Sequence, residues 1–158
     1  MTIPLAGVVF DLDGTLVDSA PDIRNAINAY LQTQERRPLT LDEVKRAAGD
    51  GAMLLVERAL SLTGAQTSHN DLVNHVQSFI KIYRDITPDP AQIYPGVLPT
   101  LDAFKTHAVP MGICTNKPEI ATQKLLDYLR LKPYFGAVAG GDTFQMHKPD
   151  PEHLRGVI

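Results

Sequence analysis

The fold of this chain is decided near its amino terminus, where residues 8–19 have the sequence VVFDLDGTLVDS. The apolar run before Asp11 is typical of a buried strand, and residues two apart on a strand point to the same face. We therefore expect Asp11 and Asp13 to share one site, provided that the extended geometry continues through both. Gly14 allows a sharp turn after them, and Thr15 can fix that turn by a local hydrogen bond.

Two carboxylates at one strand end suit a nucleophile with a neighbouring proton donor. One carboxylate can attack phosphorus, while the other, when protonated, supplies a proton to the leaving group. The alternative is an ordinary acidic turn, because Asp is frequent in turns and helix caps for structural reasons alone. An isolated pair of acids leaves both interpretations open.

The composition excludes several classes of protein. A net charge of −3 over 158 residues, with 44% hydrophobic and 21% charged residues, is that of an ordinary globular protein. We expect no nucleic-acid partner and no membrane partner, because no basic footprint is present. We also expect no signal peptide and no membrane span. Cys114 is the single cysteine, so an internal disulfide is impossible and a cytoplasmic location is expected.

A helical pattern follows the first strand. Four segments of apolar residues at helical spacing predict an all-helical domain that comprises residues 18–91. Thr40 is expected to open the second helix, with Glu43 three residues later completing a capping box. The Gly-Asp-Gly triplet at 49–51 should separate the second helix from the third. Residues 87–96 are rich in helix breakers and mark the return from this domain.

Strand and helix patterns alternate after that return. The predicted elements are a helix near 97–104, a strand at 109–114, a helix at 118–131 and a short strand at 136–139. Such alternation implies parallel strands with helical crossovers. The predicted fold class is therefore α/β, a Rossmann-like parallel sheet core interrupted by an inserted all-helical cap domain. The core is formed by residues 1–17 and 92–158, and the cap by residues 18–91.

Two further segments carry polar groups that could bind a phosphate. Thr115 and Asn116 follow a predicted strand and precede a helix, and functional groups collect at the carboxyl ends of parallel strands. Their donors, together with the helix N-terminus, would favour an anion. Lys148 would add a cation that offsets the charges of phosphate and carboxylates. The alternatives are helix capping by Thr115 or Asn116 and a solvated loop lysine.

These three segments, in this order, resemble the motifs of the haloacid dehalogenase-like hydrolase superfamily. The resemblance is closest to the phosphoglycolate phosphatase-like branch, which inserts a helical cap after the first motif. It implies that Asp11 attacks phosphorus to form an aspartyl-phosphate and that Asp13 acts first as acid and then as base. It also implies phosphate binding by Thr115, Asn116 and Lys148, and a Mg²⁺ cofactor held by Asp11 and the backbone carbonyl of Asp13.

The resemblance carries further expectations about the substrate. Gly51 and Arg58 of the cap are candidate substrate contacts, and the alternative for Arg58 is a solvated helix face. The expected activity is that of a phosphatase acting on a small phosphorylated metabolite, with 2-phosphoglycolate as the best guess. Asp13 favours phosphoryl transfer over dehalogenation, because an alkoxide leaving group needs a proton and a halide does not. A phosphosugar mutase of the same superfamily and a non-catalytic fragment or interaction protein are the alternatives.

The chain departs from the family's pattern at its carboxyl end. The superfamily has a fourth, acidic motif beyond the lysine, whereas this sequence ends at Ile158, ten residues after Lys148. We therefore expect a chain truncated before that motif, with an incomplete sheet, a weakened Mg²⁺ site and impaired activity and stability. Residues 153–158 are expected to be a helix cut off midway. The sequence does not predict the oligomeric state.

The remaining candidate ligands and nucleophiles carry no catalytic pattern. Five histidines show no metal-ligand spacing and are expected to be ordinary surface or core residues. They are His69, His75, His107, His147 and His153. Cys114 lies in a predicted buried strand and is expected to be a small core residue rather than a nucleophile.

Overall fold

The computed structural model describes residues 5–64, 68–88 and 93–158. The chain divides into two compact units, one formed by Met1–Asp18 with Pro90–Ile158 and the other by Ser19–Asp89. The first unit combines strands with helices, and the described elements of the second are all helical.

The α/β unit contains a parallel sheet of three strands. The strands are β1 (Val8–Phe10), β2 (Met111–Cys114) and β3 (Ala137–Ala139), in the order β1-β2-β3. The register pairs Phe10 with Ile113, and Ile113 with Val138. The segments that follow the three strands therefore begin at one edge of the sheet, and the predicted α/β class is confirmed.

Helices and buried apolar side chains surround this sheet. The helices of the unit are α5 (Val97–Thr106), α6 (Glu119–Tyr128) and α7 (Pro151–Arg155), with a 3₁₀ turn at Lys132–Tyr134. Leu12, Leu16 and Val17 of the first motif belong to the core, together with Ile113 and Leu126. Burying a leucine stabilises a fold by about 1.5–3 kcal/mol. The motif is thus anchored by its own apolar residues, and its acids flank Leu12.

The helical unit follows the predicted pattern closely. Its helices are α1 (Ala20–Thr33), α2 (Leu41–Ala47), α3 (Ala52–Thr63) and α4 (His69–Asp85). The predicted capping box is present, because the Glu43 N–H donates to the Thr40 hydroxyl and the Thr40 N–H donates to the Glu43 carboxylate, at 3.2 and 2.8 Å. Arg37 bonds the same carboxylate at 2.9 Å. These bonds, led by that of Arg37, lower the pKa of Glu43 to about 2.

The structure corrects several predicted boundaries. Strand β1 ends at Phe10, so the two acids lie beyond the last residue that pairs with β2. The helix predicted to continue to residue 131 ends at Tyr128, because Arg130 adopts a left-handed conformation with a φ of 57°. Helix α7 ends at Arg155 and is therefore not the helix predicted over residues 153–158. Among the described residues, none of the helices is long and apolar enough to cross a membrane.

Candidate active site

The first motif leaves β1 and folds into a tight turn. Gly14 has a φ of 77°, a conformation that costs other residues free energy. The Gly14 N–H donates to the Val17 carbonyl at 2.8 Å, and the N–H groups of Leu16 and Val17 donate to the Leu12 carbonyl at 3.0 and 3.2 Å. The Thr15 N–H also donates to the Leu12 carbonyl, at 3.3 Å, so backbone groups close this turn.

Asp11 lies directly after β1 and is held by two donors. The Nζ of Lys148 lies 2.9 Å from Oδ1 of Asp11, and the Leu12 N–H donates to the same oxygen at 2.7 Å. The Asp11 side chain is 43% exposed, so a substrate can reach it. Because Oδ1 is occupied by both donors, Oδ2 is the oxygen suited to nucleophilic attack.

Asp13 has a lysine partner that the sequence did not reveal. The Nζ of Lys117 lies 3.0 Å from Oδ1 of Asp13, and the Lys117 side chain is only 3% exposed. A lysine just after a strand and before Pro118 is ordinarily a solvated loop residue. The position of Lys117 two residues beyond Thr115, at a strand end, was the sequence feature that could have indicated a role in the site. Its pairing with Asp13 depends on a contact between residues far apart in the chain.

Thr115 lies at the carboxyl end of β2, as predicted. Its N–H donates to the Ala139 carbonyl at 3.0 Å, and its buried hydroxyl accepts from the Lys117 N–H at 3.2 Å. The hydroxyl hydrogen is therefore available for an anion. The start of α6 is capped by Asp142, whose Oδ1 accepts from the Glu119 N–H at 2.6 Å. The alternative role of Thr115 and its neighbour as caps of this helix is therefore wrong.

Asn116 links the second motif to the third. Its Nδ2 donates to the Lys148 carbonyl at 3.2 Å. The side chain therefore fastens the segment that carries Lys148 to the end of β2. Direct contact of Asn116 or Thr115 with a phosphate stays a prediction.

Cys114 ends β2 beside this cluster and is 4% exposed. Burial raises the pKa of its thiol, the charge of Lys148 opposes that shift, and the charge of Asp11 adds to it. Cys114 is therefore a buried residue, as predicted, and it lies within electrostatic reach of the Asp11–Lys148 pair.

The two cap candidates lie on α3 of the helical unit. Gly51 is the N-cap residue of this helix and has a φ of 94°. Arg58 donates to the Ala47 carbonyl at 2.9 Å and pairs with Asp50 at 2.7 Å. The guanidinium therefore fastens the turn between α2 and α3. Substrate contact by Gly51 and Arg58 stays a prediction.

Metal binding was predicted at Asp11 and at the backbone carbonyl of Asp13. Among residues 5–64, 68–88 and 93–158, no group of three or more His, Cys, Asp and Glu side chains is arranged to hold a metal ion. Mg²⁺ commonly uses one or two carboxylates and completes its octahedron with phosphate oxygens and water. The oxygen donors at residues 11 and 13 fit that chemistry.

Comparison with known proteins adds independent information. A family model described as haloacid dehalogenase-like hydrolase matches residues 5–158. The phosphoglycolate phosphatase of Agrobacterium fabrum is 39% identical over 155 residues, which is 98% of this chain and 66% of that protein. Phosphoglycolate phosphatase 1 of Pseudomonas aeruginosa is 40% identical over 149 residues, covering 93% of this chain and 54% of that protein. The chain thus spans two thirds or less of the length of these curated relatives.

Solved structures show the same fold. A predicted phosphoglycolate phosphatase from Haemophilus somnus superposes with a TM-score of 0.83 at 26% identity, covering 96% of this chain and 69% of that one. A β-phosphoglucomutase from Clostridium difficile superposes with a TM-score of 0.76 at 20% identity, covering 98% and 70%. At that identity the likeness to the mutase concerns the fold alone.

Proposed function

Because the chain belongs to the haloacid dehalogenase-like hydrolase family, we propose that it hydrolyses a small phosphate monoester through an aspartyl-phosphate on Asp11. The observation that carries this proposal is the Asp11 carboxylate at the end of β1, with Oδ1 held by Lys148 and by the Leu12 N–H. An oriented, accessible carboxylate beside a cation is suited to attack an anionic phosphoryl group.

The proposed reaction has two steps. Oδ2 of Asp11 forms a bond to phosphorus as the bond from phosphorus to the ester oxygen breaks, and protonated Asp13 gives its proton to the departing alkoxide. A water molecule then attacks the aspartyl-phosphate and loses its proton to Asp13, and inorganic phosphate leaves with Asp11 regenerated. Lys148 and the Thr115 hydroxyl stabilise the phosphoryl oxygens. Lys117 stabilises the Asp13 anion left after the proton is donated.

Magnesium is proposed as the cofactor. The Asp11 carboxylate and the Asp13 backbone carbonyl would hold it. Bound there, Mg²⁺ would supply positive charge that offsets the charge of the phosphoryl oxygens. The proposed setting is the cytoplasm, consistent with a single cysteine.

The proposed substrate is 2-phosphoglycolate, on the strength of relatives named phosphoglycolate phosphatase at 39% and 38% identity. The structures of mutases share only the fold with this chain, so hydrolysis is the better supported reaction. The two reactions differ in their product, because a phosphatase releases inorganic phosphate and a mutase returns the phosphoryl group to the sugar.

The test is release of inorganic phosphate from 2-phosphoglycolate by the purified 158-residue chain, with and without Mg²⁺. We expect release that requires Mg²⁺ and falls to background in Asp11→Asn. Asp127→Asn is the matched control, because Asp127 forms only an exposed pair with Lys132 at 3.3 Å, and it should retain wild-type activity. No release from a folded wild-type chain, or equal release by Asp11→Asn, would overturn the proposal.

The aspartyl-phosphate offers a second readout. Rapid quenching and mass spectrometry should find a phosphate on the peptide that contains Asp11. With p-nitrophenyl phosphate, whose leaving group needs no proton, Asp13→Asn should accumulate this species, because the base that activates water is missing while the nucleophile remains. A phosphorylated peptide from another part of the chain would contradict the assignment of the nucleophile.

A further inference from the structure

His153 is a buried histidine whose two ring nitrogens are both engaged. It lies in the short helix α7 and is 0% exposed. Its Nδ1 lies 3.1 Å from the backbone nitrogen of Lys148, and its Nε2 lies 2.9 Å from the carbonyl oxygen of Gly140. Phe144 packs edge-on against the ring, with centroids 6.1 Å apart. The side chain thus joins α7, the lysine motif and the segment after β3.

The chemistry of the two partners determines the state of the ring. A backbone N–H only donates, so Nδ1 must accept and carry no hydrogen. A carbonyl oxygen only accepts, so Nε2 must carry the hydrogen. His153 is therefore neutral, with its hydrogen on Nε2. Because both partners are backbone groups, this conclusion does not depend on how another side chain is oriented.

The Gly140 end of this connection is tightly packed. A Cβ placed on Gly140 would come within 2.6 Å of the Glu119 backbone and 2.9 Å of the Lys117 carbonyl. The Gly140 N–H also donates to the Thr143 hydroxyl at 2.8 Å. The carbonyl that His153 contacts therefore belongs to a segment with little freedom to move.

At the other end of the connection, both the N–H and the carbonyl of Lys148 have side-chain partners. Its N–H donates to His153, and its carbonyl accepts from Nδ2 of Asn116 at 3.2 Å and lies 2.9 Å from Nδ1 of His147. The Nζ of Lys148 lies 2.9 Å from Oδ1 of Asp11. A shift of the backbone would move this ammonium, and displacements near 1 Å can lower a rate about 10²-fold.

We propose that His153 is a positioning residue for Lys148. The neutral imidazole ties the Lys148 backbone to the Gly140 carbonyl, so that the ammonium is presented to Asp11 and to the phosphoryl group of the substrate. This inference rests on the proposed phosphatase function and adds to it a residue that itself contacts neither substrate nor the reacting atoms.

Two amide variants separate the two bonds of the ring. Oδ1 of Asn is as far along the side chain as Nδ1 of His, so His153→Asn keeps an acceptor for the Lys148 N–H. Nε2 of Gln is as far along as Nε2 of His, so His153→Gln keeps the donor to Gly140 and loses that acceptor. Both variants remove the ring from its packing, and each loses one of the two bonds. His153→Asn alone keeps the bond to the Lys148 N–H, which is the bond that holds the lysine backbone directly.

The kinetic test uses 2-phosphoglycolate hydrolysis and the affinity for inorganic phosphate, measured by titration calorimetry. We expect kcat to fall, and the Kd of phosphate to rise, by about tenfold more in His153→Gln than in His153→Asn. In a Lys148→Met background the two variants should become equivalent. His107→Asn is the matched control, because the ring of this exposed histidine bonds a carbonyl of its own helix, that of Ala103, at 2.8 Å. Equal losses in the Asn and Gln variants would overturn the proposal.

A spectroscopic measurement on the unaltered chain tests the two hydrogen bonds of the His153 ring without measuring hydrolysis. Imidazole ¹⁵N resonances near neutral pH should show His153 with a protonated Nε2 and an unprotonated Nδ1. The Lys148 amide should exchange slowly with solvent, and this protection should persist in His153→Asn and be lost in His153→Gln. The opposite tautomer, or fast exchange in the unaltered chain, would overturn the positioning role. A wild-type chain with this signature but no hydrolysis and no phosphate binding would overturn the proposed function alone.

Discussion

Replacing Lys117 by methionine should impair hydrolysis according to the leaving group. Methionine has similar length and is tolerated in cores, but it has no charge to pair with Asp13. In the native chain Nζ of Lys117 lies 3.0 Å from the Asp13 carboxylate and is almost fully buried. Its loss removes the ion pair at Oδ1 of the proposed proton donor, while the Asp11–Lys148 pair at 2.9 Å remains.

The size of the effect follows from the role of Asp13. General acid catalysis contributes about 10²–10⁴-fold, and a misplacement of about 1 Å can cost about 10²-fold. We therefore expect kcat/KM for an alkyl phosphate such as 2-phosphoglycolate to fall about 10²-fold, which corresponds to about 2.7 kcal/mol. p-Nitrophenyl phosphate has a leaving group that needs no proton, so its kcat/KM, which reports formation of the aspartyl-phosphate and not its hydrolysis, should change less than about threefold.

The assay compares the two esters in the same preparations of wild type and Lys117→Met. Unfolding in urea is measured in parallel, because loss of a charged hydrogen-bond partner should lower the free energy of unfolding by about 1–3 kcal/mol. Lys132→Met is the control, since it removes an exposed pair with Asp127 that is expected to contribute less than about 1 kcal/mol. Equal losses on both esters, or an unchanged rate on the alkyl ester in a folded variant, would refute this reasoning.

Three further predictions concern stability and reactivity. The pKa of Glu43 is held near 2, below its ordinary value of 4.5, so its bonds should stabilise the fold fully above about pH 5 and progressively less as the pH falls towards 2. The melting temperatures of wild type and Glu43→Gln should therefore converge over that range. A constant difference between them would contradict the lowered pKa of Glu43. Gly14→Ala should lower the free energy of unfolding in urea by about 1–2 kcal/mol through backbone strain alone, because among the described residues no atom beyond the two chain neighbours lies within 4 Å of the added Cβ; an unchanged midpoint would contradict this. Burial raises the pKa of the Cys114 thiol, so this thiol should react with a disulfide reagent at pH 8 at least about tenfold more slowly in the folded chain than in denaturant. Equal rates would show that Cys114 is not buried in β2.

The sequence predicted the parts of the fold that depend on local patterns. Alternating strand and helix signals gave the three parallel strands, and the capping box at Thr40 was identified from the spacing of two residues. The first motif was recognisable because its acids, glycine and apolar residues are contiguous. Boundaries were less well predicted. The Arg130 conformation that follows α6 has no composition signal, since only glycine and asparagine ordinarily indicate such a position.

The site was predicted residue by residue from local signals. Thr115 was selected because it follows a predicted strand, and Lys148 because its segment resembles the family's third motif, but the partners of Lys117 and His153 were not predicted. Lys117 is 104 residues from Asp13 in the chain, and no local pattern encodes that pairing. His153 contacts only backbone groups through its ring nitrogens. Backbone donors and acceptors are the same at every residue except proline, so the sequence around them carries no trace of the contact.

Exposure explains how two acids two residues apart can have different roles. Each has its own lysine at almost the same distance, 2.9 Å for Asp11 and 3.0 Å for Asp13. Lys148 is 31% exposed, so an incoming phosphate oxygen can replace the Asp11 carboxylate as its partner and leave that carboxylate to attack. Lys117 is 3% exposed, and removing a buried ammonium from its partner is costly. We therefore expect Asp13 to keep this counter-ion through the proposed reaction, in which it first gives a proton and then takes one.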